Sequence, residues 1–209
     1  MKLYLSSIEI PTPDDLAQLL EKSLKDARVA VIPNAQDYYN ERARSYKNEA
    51  FASVFKHLGL DVEMVDLRDY DDASVLMEKL RDFDLIWARG GNTFCLRYEM
   101  RRSGFEVIIK DLLNAGIIYG GDSAGALAAG ISIAGFDSGD DTPEFAEEIL
   151  NEGLNLVPYV ILPHNENPDL TETVQKVLDL NKGKNEVIAL KDNQAVIFED
   201  ETHRIVEAA

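Results

Sequence analysis

The sequence predicts an α/β fold built on a mainly parallel sheet with helices on both faces, and three observations carry that prediction. Short apolar runs alternate with amphipathic stretches along most of the chain, the pattern of buried strands joined by crossover helices. Two of these runs end in glycine-rich turns, Gly90-Gly91 and Gly120-Gly121, each leading straight into a helical pattern. Near the C-terminus, three short apolar runs at close spacing predict an antiparallel meander. A length of 209 residues fits one domain spanning 1–209.

Taken in order, Lys2 to Ser6 alternates as a short strand. Thr12-Pro13-Asp14-Asp15 then marks a helix start, with a capping hydroxyl, proline in the first turn and acids near the positive end of the helix. Leu16, Leu19, Leu20 and Leu24 share one face of that helix. Arg28 to Pro33 is a compact apolar run, suited to a strand buried on both sides. A helix from about Tyr39 to Leu58 stops at Gly59, and a strand over Asp61 to Leu67 precedes a helix over Asp72 to Leu80. Asp84 to Ala88 is a third buried strand, followed by the turn Arg89-Gly90-Gly91-Asn92 and a helix from Thr93 to Arg102. Glu106 to Asn114 is helical until Gly116 breaks it. The strand at Ile117 then delivers Gly121-Asp122-Ser123-Ala124-Gly125. After a small-residue helix, Gly135 to Thr142 forms an acidic loop and Pro143 to Leu150 a short helix. Leu156 to Leu162 reads as a strand with Pro158 inside it, which points to an edge or a bulge. A helix over Pro168 to Leu180 leads to the runs Val187 to Leu190, Ala195 to Phe198 and His203 to Val206.

The chemistry concentrates at Ser123. Gly121-x-Ser123-x-Gly125 fits the pattern in which a sharp strand-to-helix turn lifts a serine hydroxyl clear of a sheet. A serine nucleophile needs a base, and the chain has three histidines. His57 falls near the end of an amphipathic helix and His203 on a C-terminal strand, whereas His164 lies just past a strand end, at the same edge of the sheet as Ser123. Between Ser123 and His164 the acidic loop offers Asp137, Asp140 and Asp141 to orient the base. Asp122, beside the nucleophile, is compatible with a developing oxyanion only if its side chain points away or meets a cation.

Composition excludes several classes. Asp and Glu total 38 against 21 for Lys and Arg, and the net charge of −17 would repel nucleic acid and anionic membrane surfaces. Cys95 is the only cysteine, so an internal disulfide and a multi-cysteine metal site are both ruled out, and a reducing compartment is expected. No run reaches the length of a membrane span or a secretory leader, so the expected location is the cytoplasm, as a monomer or a homodimer. No cofactor or metal is expected. His164 with Glu166 and Asp169 is a weak set for a metal. The competing class is a binding protein on the same scaffold, its two glycine turns gripping a carboxylate or phosphate through backbone N–H groups.

Gly90-Gly91-Asn92-Thr93-Phe94, then Gly121-x-Ser123-Ala124-Gly125-Ala126, then Pro163-His164 after an apolar strand together resemble the peptidase E (aspartyl dipeptidase) family of serine peptidases, to which cyanophycinases are related. The segment containing IALKDNQAVIF also resembles that family's closing hairpin. The resemblance implies a three-layer sandwich like that of class I glutamine amidotransferases, flavodoxin-like in its sheet, with serine at the elbow where those enzymes carry cysteine. It implies a small-peptide hydrolase with Ser123 as nucleophile and His164 as base. Its acid precedes a proline by two positions, which matches Asp141, with Asp140 and Asp137 as alternatives. The oxyanion donors it implies are the backbone N–H groups of Gly91 and Ala124, and Asn92 and Arg89 beside the glycine turn are candidate substrate-binding residues. A substrate carboxylate would need a cation, and the stretch after His164 has none before Lys176, which leaves Arg89 beside the glycine turn.

Overall fold

The computed structural model describes residues 1–137, 142 and 145–208. Its strands, numbered in chain order, are β1 (Lys2–Ser6), β2 (Arg28–Ile32), β3 (Asp61–Met64), β4 (Leu85–Ala88), β5 (Ile118–Asp122), β6 (Val160–Leu162), β7 (Val187–Ala189), β8 (Gln194–Glu199) and β9 (Thr202–Glu207). Seven of them form one sheet in the order β3-β2-β4-β5-β1-β8-β9. The first five of that order run parallel, while β8 pairs antiparallel with β1 and β9 antiparallel with β8.

The period-two alternation of the strands explains why both faces are covered. Leu3, Leu5, Ala30, Ile32, Ile86, Ala88 and Tyr119 point to one side, where α3 (Ala73–Leu80), α4 (Thr93–Arg102) and α5 (Phe105–Asn114) bury their apolar faces. Tyr4, Val29, Val31, Leu85, Trp87 and Ile118 point to the other, against α1 (Pro13–Leu20) and α2 (Glu41–His57). The result is the expected three-layer arrangement, with both faces of the parallel sheet removed from water. A smaller cluster joins Phe94 and Leu127 to α7 (Thr171–Asn181) through Val174 and Val177.

Three local expectations change. Thr12 makes no side-chain cap at α1, because its hydroxyl lies 2.9 Å from the Tyr4 hydroxyl instead. The run from Val187 does not join the meander. It pairs parallel with β6 in a separate two-stranded sheet, so the antiparallel unit is the β8–β9 hairpin laid against β1. Pro158 precedes that small sheet, because β6 starts only at Val160.

Candidate active site

The site lies at the carboxyl edge of the parallel sheet, where β4, β5 and β1 end side by side. β5 stops at Asp122, and Ser123 takes the strained backbone conformation φ 47°, ψ −109° before α6 (Ala124–Ala129) begins. Its backbone N–H donates to the Ser6 carbonyl at 3.1 Å, which ties the turn to the end of β1. The second glycine of the elbow is there for space. A Cβ on Gly125 would fall 1.9 Å from the Ala88 carbonyl oxygen, so only glycine lets α6 approach β4 this closely.

Ser123 Oγ lies 2.9 Å from His164 Nε2. His164 follows β6 with a left-handed φ of 62°, and its backbone N–H donates to the buried Ser7 Oγ at 2.6 Å. The next backbone N–H, that of Asn165, donates to the Leu190 carbonyl at 2.8 Å, so the histidine turn is tied to the chain on both sides. On the other side of the ring, His164 Nδ1 lies 2.6 Å from Asp192 Oδ1. The second oxygen of that carboxylate accepts from Asn167 Nδ2 at 2.8 Å, and Ser7 Oγ donates to the first at 3.3 Å. Partial burial pushes the Asp192 carboxyl up, but the hydrogen bonds from His164 and Asn167 outweigh it and hold the group below the usual carboxylate range.

The acid that faces His164 Nδ1 is thus Asp192, which lies outside the set Asp137, Asp140 and Asp141 expected from the sequence. Asp137 turns away and pairs with Lys176 at the surface. Asp140 and Asp141 lie outside the described residues, and both ring nitrogens of His164 are already engaged, one by Ser123 and one by Asp192. The pairing of β8 with β1 explains how Asp192 reaches the site. A strand antiparallel to a parallel neighbour begins at the edge where that neighbour ends, so the turn Lys191-Asp192-Asn193 before β8 had to arrive beside the end of β1.

The glycine turn after β4 lies against Ser123. A Cβ on Gly90 would sit 3.0 Å from Ser123 Cβ. The N–H groups of Gly91 and Ala124 have no hydrogen-bond acceptor among the described residues. Asn92, in contrast, is fully buried and structural. Its Oδ1 caps α4 by accepting from the Cys95 N–H at 3.0 Å, and its Nδ2 donates to the Thr142 carbonyl at 2.9 Å. Arg89 is half-buried, with Nη1 donating to Asn48 Oδ1 at 2.5 Å and its guanidinium 4.7 Å from the centre of the Phe51 ring. Burial lowers its pKa against the pull of Asp122 and other nearby groups, and among the described residues no carboxylate lies within ion-pairing distance of it.

Asp122 satisfies the condition set by the sequence. Its Oδ1 accepts from the Trp87 indole Nε1 at 2.7 Å, and the Gly90 N–H faces the same carboxylate. The group is therefore held beneath the turn by donors, with Arg89 as the nearest favourable charge. Burial is nevertheless the larger effect and raises its pKa to about 6. Glu166, one of the residues considered with His164 as a metal set, ion-pairs with Lys191 at 2.8 Å.

Comparison with known proteins agrees with this geometry. The family model "Peptidase family S51" matches residues 5–206. The uncharacterized peptidase Lmo0363 of Listeria monocytogenes serovar 1/2a is 32% identical over 178 residues, covering 85% of each chain. A peptidase E of Actinobacillus pleuropneumoniae serotype 3 is 34% identical over 149 residues, 71% of this chain and 58% of that one. The crystal structure of a peptidase E-like protein from Listeria monocytogenes EGD-e superposes with a TM-score of 0.84 at 27% identity, over 100% of this chain and 98% of that one. With the family pattern running through nearly its whole length and a serine at the elbow, the chain belongs to peptidase family S51 and is a serine-type peptidase.

Proposed function

We propose that the protein hydrolyses small peptides through Ser123, His164 and Asp192, in that chain order. The observation that carries this reading is the continuous line of hydrogen-bonding groups from Ser123 Oγ through the two ring nitrogens of His164 to the Asp192 carboxylate. Asp192 fixes the tautomer in which Nδ1 bears the proton and Nε2 is free to accept. His164 takes the Ser123 proton as the hydroxyl oxygen attacks the peptide carbonyl. The Gly91 and Ala124 N–H groups hold the oxyanion that forms, each lowering the barrier by about 3 kcal/mol. His164 then returns the proton to the departing amine. Water, deprotonated by the same ring, releases the acyl group from Ser123 and restores the hydroxyl.

Arg89 is the cation in this reading that meets a carboxylate of the peptide. No basic residue follows His164 until Lys176, so selection for an N-terminal aspartate is not strict. The lone cysteine and the strong negative charge fit work in a reducing, aqueous compartment such as the cytoplasm. Among the described residues no helix is long and apolar enough to cross a membrane.

Labelling by a fluorophosphonate tests the reading directly. The wild-type protein is expected to be modified at Ser123, and Ser123→Ala and His164→Ala are expected to lose the label while remaining folded. Label that persists in Ser123→Ala would remove Ser123 from the mechanism. Binding of carboxylates or phosphate with no labelling at all would favour a non-catalytic binding protein.

A further inference from the structure

One of the two oxyanion donors belongs to the peptide plane that joins Gly90 to Gly91, and a side chain holds that plane from behind. Gln36 is 5% exposed and sits just after β2, where β2 and β4 lie side by side in the sheet. Its Nε2 donates to the Gly90 carbonyl oxygen at 2.6 Å. In a trans peptide the C=O and N–H point in opposite directions, so anchoring the Gly90 carbonyl fixes where the Gly91 N–H points. That N–H has no acceptor among the described residues, while the next one, on Asn92, donates to the Ala35 carbonyl at 2.7 Å.

The fit around this peptide is close. Gly91 has φ 141°, and a Cβ on it would fall 2.4 Å from both the Ala35 carbonyl oxygen and Gln36 Nε2. A peptide between two glycines turns over easily, since neither residue has a Cβ to restrict it. The loop that carries Gln36 is braced against such movement. Asn34 Nδ2 donates to Asp37 at 2.7 Å and to Asp66 at 2.8 Å, and Arg44 bridges the same two carboxylates at 2.7 Å each. Asn34 Oδ1 accepts from the Leu67 N–H at 2.9 Å, which joins this loop to the segment after β3.

We infer that Gln36 is a positioning residue for the reaction, locking the Gly90–Gly91 peptide with its N–H turned to the substrate oxygen at Ser123. The inference rests on the proposed role of Ser123 and of the Gly91 N–H. The same hydrogen bond polarises the peptide and makes its N–H a stronger donor.

The test compares Gln36→Leu with the near-isosteric Gln36→Glu on a peptide substrate across pH. Outright loss of an oxyanion donor costs about 10² to 10³ in kcat, and freeing the peptide to turn should cost about tenfold or more, with KM little changed. In Gln36→Glu, the ionised carboxylate repels the Gly90 carbonyl, whereas the protonated carboxyl donates to it. The ratio of Gln36→Glu to wild-type kcat is therefore expected to rise as pH falls, while the ratio for Gln36→Leu stays flat. Rates are referred to the folded, fluorophosphonate-titratable fraction, so that loss of fold does not count as loss of catalysis. Wild-type kcat in both variants, or a pH-independent loss shared by KM and kcat, would overturn the role of Gln36. The two ideas fail separately: an unlabelled wild-type protein would sink the peptidase reading, whereas equal labelling rates in wild type and Gln36→Leu would sink only this one.

Discussion

Asp192 Oδ1, in the turn between β7 and β8, lies 2.6 Å from His164 Nδ1, across 28 residues of chain. Asp192→Asn keeps the shape of this contact but presents an amide that supports the wrong ring tautomer. A fall in kcat of about 10³ to 10⁴ is expected, with the fold retained. Asp137→Asn breaks only a surface ion pair with Lys176, and kcat within about twofold of wild type is expected. Steady-state kinetics on one dipeptide with both variants checks the assignment. Near-normal activity in Asp192→Asn would reopen the acidic loop as the source of the acid.

Ser123 holds a positive φ that costs about 1 to 3 kcal/mol for a residue with a side chain. Ser123→Gly relieves that strain but raises the entropy of the unfolded chain. A net gain of about 1 kcal/mol is expected, together with complete loss of hydrolysis. Urea unfolding measures it, with Ser123→Ala as the control that loses the hydroxyl and keeps the strain. A Ser123→Gly variant less stable than Ser123→Ala by about 1 kcal/mol, the entropy cost of glycine alone, would show that the elbow stores no strain.

The pKa of Asp122 is raised by burial from 3.8 to about 6, so the folded state holds this proton more tightly than the unfolded state. Between about pH 4 and pH 6 the unfolded chain releases the proton first. Stability therefore falls as pH rises through that window, by at most about 3 kcal/mol. Asp122→Asn is expected to remove this slope, read as the difference between variant and wild-type unfolding free energies at several pH values. A difference that does not vary across the window would place the Asp122 pKa near its ordinary value.

Arg89 is the half-buried arginine near Ser123 that lacks a carboxylate partner among the described residues. A dipeptide panel is expected to show cleavage beyond Asp-X substrates. In Arg89→Met, KM is expected to rise about tenfold for the preferred substrates, with kcat less affected. Cleavage confined to Asp-X would show that selection is strict, and an unchanged KM in Arg89→Met would remove Arg89 from the substrate site.

How much of this was legible in the sequence follows from the range of each interaction. Ser123 and the glycines around it are a local pattern, and the space they need, such as the 1.9 Å approach at Gly125, is a property of one turn. His164 followed from its place after a strand. Asp192 depended on which strand β8 would pair with, and no local pattern records that choice. The same limit misplaced Val187 to Ala189, whose apolar run fits a meander as well as it fits the parallel pairing with β6 that it makes. Asn92, just before the helix start at Thr93, is in the position of an N-cap, the role its side chain takes.

The contact between Trp87 and Asp122 has a spectroscopic consequence. Trp87 is the chain's single tryptophan, fully buried, with its indole packed where Gly120 leaves room for it. Its N–H ends on the carboxylate of Asp122, the residue before Ser123. All of the protein's tryptophan emission thus originates beside Ser123, in contact with a carboxyl whose pKa burial raises to about 6. The emission maximum is an intrinsic gauge of the electrostatics under the elbow, readable without a label.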